Sequence, residues 1–166
     1  MNFRLAEKSD LDKIMEIIEE AKDYLKTLGI NQWQNGYPNE EKILSDIENR
    51  AFFVLEEEEI MGITFIGITK DPTYDKIYQG EWLSNGDYGV IHRMAVGGKY
   101  RKTGTASLLM KYTEEHLRSR NIKSIKVDTH RGNTTMHNFL LKNAYVQCGV
   151  IYLEDGNERL AYEKLL

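Results

Sequence analysis

The spacing of apolar positions changes several times along the chain, and each change predicts an element. "NFRLA" predicts a short first strand. From Ser9 the spacing becomes helical, with Leu11, Ile14, Ile17 or Ile18, Ala21, Leu25 and Leu28 on one face. Ser9 is placed to cap that helix, and Asp10 and Asp12 put negative charge at its positive end. "GINQWQNGYPNE" breaks it with two glycines and a proline, and a shorter helix follows near Glu40 to Glu48. "AFFVLEE" and "IMGITFIGI" predict two strands, with the acidic run Glu56 to Glu59 as a solvated turn between them. Residues 69 to 87 carry Asp-Pro and Asn-Gly signals and read as a long loop or extended hairpin. "YGVIHRMAV" is the next strand, and a helix holding Leu108, Leu109, Tyr112 and Leu117 follows. "IKSIKVDTH" predicts a strand and Asn133 to Asn143 a helix. "YVQCGVIYLED" and "ERLAYEKL" predict two last strands, joined at Asp155-Gly156. No repeat, low-complexity tract or linker interrupts the series. The order βααβββαβαββ predicts an α+β (mixed α/β) fold, with residues 1–166 as a single domain.

Composition narrows the class. Apolar residues at 41% and charged residues at 29% are those of an ordinary soluble globular protein. No apolar run reaches the roughly 18 residues of a membrane helix, and no signal peptide is expected from "MNFRLAEKSD". The expected setting is cytoplasmic, with no membrane partner. A formal charge of −4 argues against nucleic acid as a partner, since that role needs a basic face. Cys148 is the only cysteine, so neither an internal disulfide nor a multi-cysteine metal site can form. It is expected as a small core hydrophobe, and no metal is expected.

One stretch departs from this ordinary picture. "VGGKYRKTGTASLLM", Val96 to Met110, sets three glycines and three cationic side chains directly before an apolar run. The first turn of a helix carries unsatisfied N–H groups and about half a positive charge. Gly104 would let backbone close on a diphosphate, Ala106 keeps the next turn narrow, and Lys99, Arg101 and Lys102 add local positive charge. A plain capped helix start accounts for the same residues. The P-loop and the dinucleotide fingerprint both fail here, because Thr103-Gly104-Thr105 replaces Gly-Lys-Ser/Thr and G-x-G-x-x-G does not fit.

The run Arg101-Lys102-Thr103-Gly104-Thr105-Ala106 resembles Q/R-x-x-G-x-G/A, the pyrophosphate loop of the GCN5-related N-acetyltransferases (GNAT). "HRMAV" before it and "SIKVDTH-RGN-TTMHNFLLKNAYV" after it resemble that family's fourth strand, fifth strand and fourth helix, and the element order matches over essentially the whole chain. The resemblance implies a mixed, mostly antiparallel sheet splayed between strands 4 and 5, flanked by about four helices. It implies acetyl-CoA as the donor, with CoA as product, and a homodimer as a possible assembly. By position, backbone groups of Met94, Ala95 and Val96 would meet the pantetheine arm like an added strand. Lys102, Thr103, Gly104, Thr105, Ala106 and Ser107 would wrap the pyrophosphate. Asn133 stands where the family has an asparagine that binds the cofactor arm, and it also fits a plain helix N-cap.

The implied chemistry needs a neutral amine, so a group that removes a proton helps. His92 stands where arylalkylamine N-acetyltransferases have a histidine implicated in that step, and imidazole titrates near neutral pH. Asp128 stands where some ribosomal-protein acetyltransferases have a glutamate. Strand alternation points His92 away from Arg93 and with Met94. The family often has a tyrosine acid seven residues after the asparagine, but here that residue is Leu140; His137, one turn past Asn133, is an alternative donor. Trp33, Tyr37, Pro38, Glu81, Trp82 and Tyr88 are candidates for the wall of an acceptor site, which would take a small-molecule or peptide amine. A non-catalytic acyl-CoA sensor on the same fold and a plain nucleotide-binding domain are the rival readings.

Overall fold

A computed structural model describes residues 1–166. Its main elements are β1 (Asn2–Leu5), α1 (Leu11–Thr27), α2 (Glu40–Glu48), β2 (Phe52–Glu56), β3 (Ile60–Gly67) and β4 (Gly89–Val96). They continue as α3 (Thr105–Ser119), β5 (Ser124–Thr129), α4 (Thr134–Lys142), β6 (Val146–Tyr152) and β7 (Glu158–Leu165). The order is the one the apolar pattern predicts. Single 3-10 turns at Lys8–Asp10, Pro72–Tyr74 and Gly98–Tyr100 are the additions.

The strands follow the order β1-β2-β3-β4-β5-β7-β6. β1 with β2, β2 with β3, β5 with β7 and β6 with β7 are antiparallel, and β4 with β5 is parallel. The parallel register is confined to Gly89↔Ile125 and Val90↔Lys126, at the start of both strands, as the expected splay requires. Packing groups the chain into two compact units, Met1–Ile66 with His92–Thr113 and Gly67–Ile91 with Glu114–Leu166.

In the first unit, Ile14, Ile17 and Ile18 of α1 pack with Ile43 and Ile47 of α2, Phe52 and Val54 of β2, and Ile63 of β3. The 3.6-residue spacing of α1 puts these side chains on one stripe and leaves Asp12, Glu16 and Glu19 exposed. Ser9 is not the cap. It lies inside the turn Lys8–Asp10, where the Glu7 N–H donates to the Asp10 carboxylate at 2.8 Å. Arg4 explains the difference, since its guanidinium donates to both Asp10 oxygens at 2.7 and 3.0 Å and fixes that carboxylate at the helix entry. Arg4 also grips Glu56 at 2.8 and 2.7 Å, and Tyr100 donates to Glu59 at 2.7 Å. Two members of the acidic run are therefore engaged rather than simply solvated.

In the second unit, Tyr74, Tyr88, Val90, Ile151 and Ala161 form a core beside the β5-β7-β6 ladder. The segment 68–88 is a pinned loop. The Asp71 side chain accepts from the Thr73 N–H at 3.0 Å and starts the turn Pro72–Tyr74. Tyr78 and Val150 then exchange two backbone hydrogen bonds of 2.8 Å. Gly80 lies against the Cys148 carbonyl, and a Cβ there would run into that oxygen. Cys148 is buried, as a core hydrophobe should be, and burial pushes its thiol pKa up.

Candidate active site

In the first unit, the part of β4 from His92 onward does not alternate as a regular strand. Arg93 has φ +49°, and its guanidinium lies 4.4 Å above the Phe65 ring. His92 stacks on the same ring, with centroids 5.7 Å apart. Alternation would send these neighbours to opposite faces; the left-handed residue breaks the pleat and brings both to Phe65. Arg93 Nε lies 2.8 Å from Asp46 Oδ2, an ion pair between side chains only 6% and 3% exposed, although the N–H is not aligned for a hydrogen bond. Arg93 also donates to the Tyr37 hydroxyl at 2.6 Å. Met94, Ala95 and Val96 are half-buried, and the Gly97 N–H bonds to the Met61 carbonyl at 2.9 Å just beyond them.

The loop that follows is held from α1. Glu20 accepts from the Gly98 N–H at 2.6 Å, and its carbonyl accepts from Arg101 at 2.8 Å. The Arg101 guanidinium also covers the Tyr24 ring at 4.8 Å, so this cation acts as a strut. Lys99 is paired with Glu59, whose pKa that contact and the Tyr100 hydroxyl push down to about 2. Lys102, exposed like Lys99, lies beside Thr103 and Gly104. Lys102 and Gly104 take left-handed φ values of +63° and +90°. A Cβ placed on Gly104 would meet nothing within 4 Å, so the outer face of the turn is open. Thr103 Oγ1 donates to the Tyr100 carbonyl at 2.7 Å and lies 2.8 Å from Thr105 Oγ1. The Gly104 carbonyl accepts from Leu108 N at 3.1 Å, and the first-turn amides of Thr105, Ala106 and Ser107 follow directly.

In the second unit, Asn133 caps α4. Its Oδ1 accepts from the Met136 N–H at 3.1 Å. Leu140 is fully buried. His137 Nδ1 makes a short contact with the Tyr162 hydroxyl, and burial pushes the Tyr162 pKa up to about 12. Asp128 is half-buried and accepts from the Tyr74 hydroxyl at 2.6 Å. Burial first, then the charge of Asp128, raises the Tyr74 pKa well above its ordinary value. No group of three or more His, Cys, Asp or Glu residues is arranged to hold a metal ion.

A mixed sheet opened after two parallel pairs, with a glycine-bearing basic turn leading from β4 into α3, fits one family, and the comparisons agree. The model of the acetyltransferase (GNAT) family matches residues 12–145. The chain belongs to that family. A GNAT-family acetyltransferase from Streptococcus agalactiae 2603 has a crystal structure that matches with a TM-score of 0.90 at 34% identity, over 99% of this chain and 95% of that one. A ribosomal-protein-alanine N-acetyltransferase from Brucella melitensis matches with a TM-score of 0.71 at 20% identity, over 100% of both chains. The PaiA N-acetyltransferase from Thermoplasma acidophilum, solved with coenzyme A, matches with 0.75 at 15% identity, over 99% of this chain and 98% of that one. At these last two identities the likeness shows the fold alone. A comparison with curated protein sequences finds no match.

The GNAT assignment makes the chain an acyltransferase of a family that uses acetyl-CoA. The two compact units divide the residues named from sequence. Arg93, Met94, Ala95, Val96 and the loop to Ser107 lie in the first unit with His92, Trp33 and Tyr37. Asp128, Asn133, His137, Glu81 and Tyr88 lie in the second. Trp33 is half-buried, while Tyr37 and Glu81 are exposed. Tyr88 is buried, and its hydroxyl accepts from the Asp71 N–H at 3.1 Å. Tyr74, Tyr162 and Asp46 escaped the sequence reading. Each is joined to its partner across 25 or more residues of chain, and no local spacing marks such a pair.

Proposed function

We propose that this chain transfers the acetyl group of acetyl-CoA to a primary amine by direct attack in a ternary complex. The observation that carries the reading is the turn Lys102–Gly104, left-handed at both ends, open on its outer face and running into the first amides of α3. Successive N–H groups in such a turn and at a helix start suit a pyrophosphate, and the exposed Lys102 adds a charge beside them. Backbone groups of Met94, Ala95 and Val96 are assigned to the amide-bearing arm of CoA, and Arg101 to bracing the loop against Glu20 and Tyr24. Asn133 is assigned to the same arm, with its carbonyl side-chain oxygen already engaged as the cap of α4.

The donor supplies an acyl carbon on a thiol leaving group, which departs readily because a thiol has a pKa of about 8.5. As the C–N bond forms and the C–S bond breaks, the amine must lose a proton. His92 is assigned to take it, with Asp128 as the second residue on the acceptor side, and His137 to return a proton to the thiolate. Trp33, Tyr37, Glu81 and Tyr88 are assigned to the acceptor side as well. The wholly buried Leu140 has no proton to give, so no step passes through that position.

The test is thermal unfolding with and without CoA, acetyl-CoA or ATP. With ligand about 100-fold above its Kd, a stabilisation of about 2.7 kcal/mol should raise Tm by several degrees for either CoA form and not for ATP. Protection by ATP alone would replace this reading with a nucleotide-binding one.

A further inference from the structure

Tyr74 is one of the few tyrosines whose hydroxyl is spent on a carboxylate, and everything around it keeps it there. The turn Pro72–Tyr74 is started by Asp71, and the Tyr88 hydroxyl accepts from the Asp71 N–H. Trp82 donates its indole N–H to the Tyr74 carbonyl at 2.9 Å. The Tyr74 ring packs against Trp82 and Tyr88, with centroids 5.6 and 6.2 Å away. From this aromatic nest the buried hydroxyl donates to Asp128 Oδ2 at 2.6 Å, across 54 residues of chain. A core tyrosine of purely structural use needs only some acceptor for its hydroxyl. Here the acceptor is the side chain of a half-buried carboxylate on β5.

Lys126 lies two residues earlier on the same face of β5. Its ammonium sits 4.3 Å from the Trp82 ring centre and 4.1 Å from that of Tyr88. The rings that brace Tyr74 therefore also hold a cation on that face. A hydroxyl that stays protonated across the working pH range and donates to a carboxylate favours its charged form. It also restricts the side chain to one rotamer. Both effects suit a fixed anion that receives N–H groups.

We infer that Tyr74 is a positioning residue for the acceptor: it holds the Asp128 side chain in one orientation, so that the carboxylate accepts a hydrogen bond from a cationic primary amine. The inference rests on the proposed amine acetylation and adds how the amine is recognised. It assigns Asp128 to holding the ammonium, leaving proton removal to another group. No covalent step is added.

The experiment is steady-state kinetics of wild type, Tyr74→Phe, Asp128→Asn and the double variant, with spermidine, free lysine and a peptide bearing a free N-terminus as acceptors. Tyr74→Phe keeps the ring and its packing and removes only the donor. With an acceptor that wild type acetylates, each single variant should raise the amine KM about tenfold, the loss of one charge-assisted hydrogen bond, with a much smaller change in kcat and none in the KM for acetyl-CoA. In the Asp128→Asn background, Tyr74→Phe should add nothing, because its effect runs through the carboxylate. A structural role alone would instead lower kcat and Tm in both backgrounds. Transfer by wild type with the amine KM unchanged in Tyr74→Phe or Asp128→Asn would overturn this inference and leave the proposed function standing. No transfer to any of the three amines would remove both.

Discussion

Gly104 carries the clearest demand that any single residue makes on this chain. At φ +90° any L side chain is strained, whatever space is available, and the space outside it is open. Gly104→Val should cost about 1–3 kcal/mol of stability and raise the KM for acetyl-CoA at least tenfold by closing the face of the turn. Urea unfolding and initial rates check the two effects separately. His92 is tested differently. If it takes the amine proton, His92→Ala should lower kcat by about a hundredfold at neutral and higher pH, and least at low pH, where an imidazole already carries a proton and cannot act as a base. An unchanged pH–rate profile would remove His92 from that role. At this scale the sequence was informative where spacing is local. Gly104 and the Asn133 cap were legible because a turn and a helix start use neighbouring residues. The orientation of His92 was not, since alternation assumes a regular strand and Arg93 at φ +49° breaks it.

Among elements, two arginines do different work. Arg93 on β4 and Asp46 on α2 are both buried, so removing one partner strands the other. Asp46→Ala should cost about 3–5 kcal/mol, and adding Arg93→Met should recover much of that loss. Arg4 joins β1 to the entry of α1 and the end of β2, and its hydrogen bond holds the Asp10 carboxyl pKa below its ordinary value. The folded state therefore binds fewer protons than the unfolded chain around that value of about 3.9. The stabilisation is complete above it and is lost as pH falls through the lowered pKa. Arg4→Met should accordingly lose about 2 kcal/mol at neutral pH and progressively less in acid, as read by urea titrations at both. The order of elements was legible because eleven apolar patterns of the right period are separated by turn residues. The cap of α1 falls at Asp10 rather than Ser9 because Arg4 holds the Asp10 carboxylate, a contact between β1 and the helix entry. The turn between β2 and β3 lies where the acidic run predicts it, with Glu57 and Glu58 exposed, but the pairing of Glu56 and Glu59 was not legible, since Arg4, Lys99 and Tyr100 come to them from elsewhere in the chain.

For the whole molecule, the family follows from the turn, the opened parallel pair and the match over residues 12–145. The acceptor is less legible, because the contact proposed to recognise it joins a pinned loop to a strand, as Tyr74 does to Asp128 across 54 residues of chain. A charge of −4 favours cationic acceptors without choosing among them. The most direct test of the central claim is therefore an acetyl-CoA-dependent screen of polyamines, amino acids, peptide termini and lysine side chains, read as CoA release with mass detection of the product. At least one primary amine should be acetylated, with one CoA released per amide formed. CoA binding without release above the amine-free rate for any acceptor class would contradict it and leave an acyl-CoA sensor in its place.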